Sequence, residues 1–459
     1  MKKLVIIGLD CADPRLVFEQ FVDVMPHTKR LMERGVYGPM RSTDPPITVP
    51  AWTSMLTSKD PGTLGFYGFR NRADYGYKAL YFANNDYVKE KRAWNYLSRN
   101  RLSSFILGVP QTYPPKSLRG VLAASFLTPN KQVQWTYPAE AAAQIDAWAG
   151  GDYIIDVKDF RTEDKDWLLE QIYKMTERRF KVFREALKAN EHDFYMMVEM
   201  GVDRIHHGFW RYHAKDHRLY EPGHKYEFAI RDYYRYLDER IGELLEVIDD
   251  ETAVMMVSDH GARTMVGAIC INDWLIQKGW LTLKEQPTGA TKLKMDNIDW
   301  SKTKVWGEGG YYSRIFFNVK GREPEGIVDP ADYAAFRDEV QRAMEAIVDE
   351  KGVNIGTKVL RPENVYKHVN NVAPDLIVYF GDLAWRSAGT VGGGQIHIFE
   401  NDTGPDDANH DYNGILVCAL PGEQQAKQLK QYSIYDVAPT ILDFFGIEIP
   451  DDMIGSSIL

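Results

Sequence analysis

The chain holds only three cysteines in 459 residues, Cys11, Cys270 and Cys418, widely spaced and odd in number. That excludes a disulfide scaffold and a paired-cysteine metal framework, and it suits a reducing compartment. No stretch approaches the roughly 18 apolar residues of a membrane-spanning helix. No long block of Lys and Arg occurs, and the formal net charge is -10, so binding along a nucleic-acid backbone is not expected. Neither an internal repeat nor a Pro/Ser-rich linker divides the chain, and one domain over 1–459 is the expectation. The start, Met1-Lys2-Lys3 before apolar Leu4–Leu9, is too short for a signal peptide, and Asp10 stands where a small-residue cleavage site should follow. A cytoplasmic protein is expected. What is present, 44% hydrophobic and 26% charged residues, is the balance of a globular protein large enough for a sizeable core.

Short apolar, β-branched runs recur at Leu4–Leu9, Ser104–Gly108, Phe194–Glu199, Ala253–Ser258, Leu376–Phe380 and Ile415–Leu420. Each reads as a buried strand. Asp164–Leu187 and Glu227–Ile248 carry apolar residues at helical spacing. The alternation predicts an α/β fold, a mostly parallel central sheet with helices on both faces. Three stretches break the pattern. Pro61–Asp86 reads as a long aromatic loop, and Trp385–Asp411, with Gly392-Gly393-Gly394, as a loop over something. Residues 281–371, with a helix near Ala331–Ile347, read as an inserted lid or small subdomain.

Polar residues cluster where these strands stop. The first ends at Asp10, Phe194–Glu199 is followed by Asp203 and His207, and Ala253–Ser258 runs into Asp259-His260-Gly261. Ligands of open α/β sheets collect beyond the carboxyl ends of strands, so Asp10, Asp203, Asp259 and His260 are expected to converge. His410, in Asp407-Ala408-Asn409-His410, would enter from the loop before the last strand. Singly, Asp10 reads about equally well as a helix N-cap, and Asp259-His260-Gly261 as a polar turn, though a doubly polar step straight after a buried strand fits that reading less easily. Together, carboxylates with imidazoles suit zinc and similar divalent ions. Pro50 fits the first turn of a helix through Leu56 and places Thr48 just before it, where a hydroxyl meets free amides and the positive dipole end.

These residues resemble the type I phosphodiesterase and nucleotide pyrophosphatase branch of the alkaline phosphatase superfamily, in order and over nearly the whole chain. Asp10 closes the first strand. Thr48-Val49-Pro50 matches the nucleophile motif, Asp203-Arg204-Ile205-His206-His207 an Asp-x-x-x-His motif, and Ser258-Asp259-His260-Gly261 the Ser-Asp-His-Gly motif. His410 stands ahead of Pro421-Gly422, and Tyr435–Thr440 with Gly455 resembles the family's C-terminus. The resemblance implies an alkaline phosphatase-like fold and Thr48 as nucleophile, bridging to the substrate. It further implies two divalent metals, zinc with manganese or iron as alternatives: one held by Asp203, His207 and His410, the other by Asp10, Asp259 and His260. The implied activity is that of a phosphodiesterase or nucleotide pyrophosphatase on a small-molecule phosphate ester. A phosphomonoesterase, a phosphomutase and a non-catalytic binding protein on the same fold are the alternatives.

Some histidines compete. His206 lacks the four-residue spacing after Asp203; His213, His217 and His224 read as solvated residues, and His397 is the rival to His410. The chain departs from the family pattern at Leu64, where a histidine is usual, and at Phe69, where diesterases often place an asparagine, with Asn71 just beyond. No cysteine lies near Thr48, which argues against sulfatase chemistry. Trp52, Phe66, Tyr67, Phe69, Tyr75 and Tyr77 suggest an aromatic slot for a diester substituent. The nearest extra cations in sequence are Arg41, Arg70, Arg72 and Arg263.

Overall fold

The computed structural model describes residues 2–422 and 426–459. Its main sheet is built on β1 (Lys3–Leu9), β2 (Val36–Arg41), β3 (Ser104–Val109), β4 (Gly120–Ala124), β5 (Phe194–Glu199), β6 (Thr252–Val257) and β7 (Asn413–Ala419). They lie in the order β2-β7-β6-β1-β5-β3-β4, with short strands beyond both ends. From β6 to β4 the strands run parallel, whereas β7 is antiparallel to both its neighbours. Every residue of β3, β5 and β6 is buried, as a strand covered on both faces requires.

Four helices matter for the site: α1 (Thr48–Thr57), α2 (Lys165–Ala189), α3 (Gly201–His213) and α4 (Ala229–Leu245). α2 buries Leu168, Ile172, Met175, Arg179 and Phe183, a stripe at three- and four-residue intervals. Asp164 caps its start by accepting from the Trp167 amide, and Asn190, in left-handed conformation, ends it. α1 is buried along its whole length and lies against β1. Gly8 permits that approach: a Cβ there would stand 2.7 Å from Trp52 Cη2 and 2.8 Å from Val198 Cγ2.

Glu199 fixes how the chain turns from β5 into α3. Its Oε1 accepts from the Gly201 amide at 2.7 Å and from Thr176 Oγ1 at 3.2 Å, and Oε2 lies 3.9 Å from Arg179 Nε, both side chains fully buried. Glu199→Ala would leave the Arg179 guanidinium buried, bonded to the Val198 and Ile155 carbonyls but with no described carboxylate within 4.0 Å. The expected loss is about 3–5 kcal/mol of unfolding free energy in urea titration; a loss below about 1 kcal/mol would mean that the pair counts for no more than a surface one.

A second hydrophobic core lies between Ile269 and Val391 in the chain, around Trp274, Trp306, Phe316 and Val378. It covers a four-stranded antiparallel sheet in the order Val305–Glu308, Ser313–Phe317, Leu376–Tyr379 and Lys358–Leu360. Leu376–Tyr379, expected in the main sheet, therefore belongs to this one. A four-residue apolar run is equally buried in either, and periodicity cannot choose between them. Helix Tyr333–Glu345 lies in the same segment. Trp385–Asp411, expected as a loop, holds strands Trp385–Ala388, Thr390–Val391, His397–Ile398 and Ala408–Asp411. The expected aromatic loop, Pro61–Asp86, contains helix Pro61–Leu64 and a small hairpin, Arg70–Arg72 with Leu80–Phe82. Short strands with polar faces leave little apolar pattern to read. No described helix is long and apolar enough to cross a membrane.

Candidate metal centre

β1, β5 and β6 are parallel neighbours, so Asp10, Asp203, Asp259 and His260 emerge at one end of the sheet. His410 arrives differently from the expected loop. Strand Ala408–Asp411 pairs antiparallel with Gly261–Thr264, and the register sets His410 opposite Ala262. The His410 and His260 rings consequently stack at 3.8 Å.

Two groups of potential ligand atoms result, each within 4.8 Å: Asp10, Asp259 and His260, and Asp203, His260 and His410. His260 is common to both. His207 stands beside the second group, with Nε2 3.1 Å from Asp203 Oδ1 and its ring centroid 5.4 Å from that of His410. Thr48 Oγ1 lies 3.3 Å from His260 Nε2. Thr48 is the first residue of α1 rather than the residue before it. Ile47 occupies the cap position without a side-chain hydrogen bond, so the hydroxyl is not spent on capping.

The donor atoms fit a cation. Trp52 Nε1 donates to Asp10 Oδ2 at 2.7 Å, and the Cys11 amide to Asp259 Oδ1 at 3.2 Å. Each carboxylate thus keeps one oxygen engaged by the protein, while Asp10 Oδ1 and Asp259 Oδ2 are buried without a hydrogen-bond partner, as is His410 Nε2. Such orphans cost about 1–3 kcal/mol each, more when charged. The imidazoles are turned to match. His260 Nδ1 faces the Gly261 carbonyl at 3.1 Å and His410 Nδ1 the Pro46 carbonyl at 3.0 Å. A carbonyl only accepts, so both Nδ1 atoms carry the proton and both Nε2 lone pairs face the carboxylates.

Charge follows the same geometry. Burial, then the neighbouring Asp203, raises the Asp10 carboxyl well above its ordinary range, and burial with Asp10 does the same to Asp259. Burial pushes His260 down to about 4, and burial beside His260 and His207 holds His410 well below the ordinary imidazole value. For Asp203, burial is outweighed by His207 and Arg204, which keep it well below the usual carboxylate range. His207 is likewise buried, yet Asp406 and Asp203 on either side raise it to about 9.

Several participants escaped the sequence reading. Asp406 Oδ1 lies 2.6 Å from His207 Nδ1 and orients that ring, the usual task of a carboxylate behind a metal-binding histidine. The acidic pair Asp406-Asp407 just ahead of His410 was its only local signal. Tyr311 donates to Asp406 Oδ2 at 2.9 Å and stacks on His410 at 4.4 Å; it follows Gly309-Gly310, just past strand Val305–Glu308. Arg204 joins Asp203 to Asp156, the latter at 2.7 Å.

The competing histidines lie elsewhere. His397 Nε2 meets the Val348 carbonyl at 2.7 Å. His206 is buried against Tyr234 and lowered by burial to about 3. His217 is buried, not solvated as expected, and its Nδ1 accepts the Leu219 amide. His213 and His224 are half-buried, His224 stacked on Tyr212.

A cleft of about 840 Å³ opens over Thr48, Asp203, His207 and His410. Of the six aromatics expected to form its slot, only Phe69 lines it. Trp52, Phe66 and Tyr67 are core, Tyr77 stacks on Trp300 at 3.6 Å, and Tyr75 is exposed on the hairpin side. Phe126, Phe160, Tyr311 and Tyr312 supply the wall instead. Leu64 is buried, and Asn71 is committed to its own loop, bonded to the Tyr67 amide and the Gly68 carbonyl. Arg41, Arg72 and Arg263 are paired with Asp44, Glu323 and Asp411, away from the cleft lining.

A family model described as type I phosphodiesterase / nucleotide pyrophosphatase matches residues 4–412, a span that takes in every residue of this centre. No curated protein matches the chain. Matched over nearly its whole length, the chain belongs to the type I phosphodiesterase / nucleotide pyrophosphatase family, a branch of the alkaline phosphatase superfamily.

Proposed function

We propose that this chain is a metal-dependent phosphodiesterase that works through a phosphothreonine at Thr48. The observation that carries the reading is the uncapped Thr48 hydroxyl, 3.3 Å from His260 Nε2 and beside a cluster of buried, unpartnered carboxylate and imidazole atoms. Two divalent cations, zinc by the mixed oxygen and nitrogen donors or manganese or iron in its place, would be held by Asp10, Asp259 and His260 and by Asp203, His207 and His410, and would supply Lewis acidity to the hydroxyl and the phosphoryl oxygens.

The remaining work falls to the chain. Thr48 Oγ1 forms its bond to phosphorus as the bond to the leaving alcohol breaks, and water then cleaves the phosphothreonine. Because α1 begins at Thr48, first-turn amides without intrahelical acceptors and the positive end of the dipole sit at the nucleophile. Arg204, held by Asp156 and Asp203, offers a fixed cation to the phosphoryl oxygens. Asp406 and Tyr311 keep the His207 ring in place. Phe69, Phe126 and Phe160 give the cleft apolar walls suited to a second organic substituent. Lys292, the Gly309–Tyr312 connection and Arg314 line the cleft from within residues 281–371, which supports reading that segment as an inserted lid.

The deciding assay compares bis-p-nitrophenyl phosphate with p-nitrophenyl phosphate on one metal-loaded preparation. A higher kcat/KM on the diester is expected. A preference for the monoester of about ten-fold or more, about 1.4 kcal/mol at the transition state, would replace this reading with a phosphatase or phosphomutase.

A further inference from the structure

The chain is acidic as a whole, with a formal net charge of -10, yet the wall of its cleft is rich in cations. Four of them are committed. Arg161 pairs with Asp406 at 3.0 Å, Arg204 with Asp156 at 2.7 Å and with Asp203, Arg314 with Glu308, and Arg386 with Asp402 at 3.2 Å. Arg70, Lys158 and Lys292 line the same cleft and, among the described residues, have no carboxylate within 4.0 Å. Lys158 makes one hydrogen bond, to the Pro129 carbonyl at 3.1 Å. Asp159 is the one cleft-lining carboxylate that no described cation engages.

These charges exceed what the reacting group needs. On the phosphodiesterase reading, two divalent cations against the carboxylates of Asp10, Asp203 and Asp259 leave a single positive charge, and the single negative charge of a diester phosphoryl group neutralises it. Arg70, Lys158 and Lys292 are left over with only Asp159 to oppose them. The surplus is two positive charges, which match a phosphate monoester at neutral pH.

We propose that Arg70, Lys158 and Lys292 form a subsite for a second anionic group of the substrate, a phosphate monoester borne on its organic substituent. The three residues come from separate places: the hairpin Arg70–Arg72, the segment ahead of α2, and the strand Thr291–Lys292. All three are exposed at the cleft, so they can be changed without opening the core. The inference rests on the phosphodiesterase reading for the place of the reacting phosphoryl group.

The test is calorimetric binding of thymidine 3′,5′-bisphosphate and thymidine 5′-phosphate to the zinc-loaded protein at low salt. The bisphosphate is expected to bind about ten-fold more tightly, about 1.4 kcal/mol. That advantage should shrink as added NaCl screens the exposed charges. In the triple variant Arg70→Gln, Lys158→Gln, Lys292→Gln it should fall to about two-fold or less; the charge reversal Lys292→Glu alone should lower it in the same direction. Equal affinities in the wild-type protein, an advantage that survives the triple variant, or failure of both nucleotides to bind would each overturn the subsite. Turnover of bis-p-nitrophenyl phosphate separates the two ideas. Turnover without a bisphosphate preference overturns the subsite alone, and a preference without turnover overturns the phosphodiesterase reading alone.

Discussion

Thr48→Ala is expected to lower kcat on a phosphodiester by about three orders of magnitude or more, about 4 kcal/mol of barrier, while the protein stays folded and binds metal. The side chain is buried, at 4% exposure, and its hydroxyl contacts His260 Nε2 without capping α1. Removing it costs the fold little, because Ala is a good helix former and no buried donor is left without its acceptor. It removes the only atom on which the phosphothreonine can form. Thr48→Ser should recover part of the rate, since a primary hydroxyl at the same place makes the same ester. The measurements are kcat with bis-p-nitrophenyl phosphate and metal content of the same sample. Near-wild-type turnover in the alanine variant would sink the covalent route and leave water as the direct nucleophile.

The second large effect has opposite signs for stability and activity. Asp259 is fully buried, and burial together with Asp10 disfavours its charged form. A carboxylate whose folded-state pKa is raised weakens the fold at pH values above its unfolded pKa, fully so above the folded one, and the penalty is relieved as pH falls to the unfolded value. Asp259→Asn removes the penalty and keeps the shape, including the oxygen that accepts from Cys11. Metal-free Asp259→Asn should therefore unfold at a higher urea concentration than metal-free wild type at neutral pH. It also loses the anionic Oδ2, one of the unpartnered atoms aimed at the centre. Metal affinity and turnover should each drop by at least about a hundred-fold, and adding zinc should stabilise the wild type far more than the variant. If the variant holds two metals per chain with unchanged turnover, the assignment of Asp259 as a ligand is wrong.

Much of the centre was legible from local pattern. Asp10, Asp259 and His260 stand at the ends of buried, largely apolar runs, and Asp203 stands four residues past Glu199, where the third such run stops. Parallel neighbours expose those ends together, so convergence needed no knowledge of strand order. His410 was harder. Its neighbours are polar, and its place depends on pairing with Gly261–Thr264, nearly 150 residues earlier in the chain. Asp406 and Tyr311 gave no periodic pattern, since a carboxylate that orients a ring and a tyrosine that stacks on one have no periodicity, and the acidic pair Asp406-Asp407 was the one local mark of the first. The aromatics of Pro61–Asp86 show the opposite failure. Their composition suggested a binding slot, but Phe66 and Tyr67 fill the interior, and the cleft takes its rings from Phe126, Phe160 and the Tyr311-Tyr312 turn.

By itself the sequence determined which runs become buried strands, where helices α2 and α4 lie, and which acidic and imidazole groups stand at the strand ends, because burial and periodicity are local properties of a chain. Only the tertiary structure decided that Leu376–Tyr379 joins a second sheet, that His260 faces both ligand groups, and that Arg70, Lys158 and Lys292 share one cleft. Those facts depend on contacts between residues far apart in the chain, and the geometry of such contacts is set by packing and register, which no local window of sequence contains.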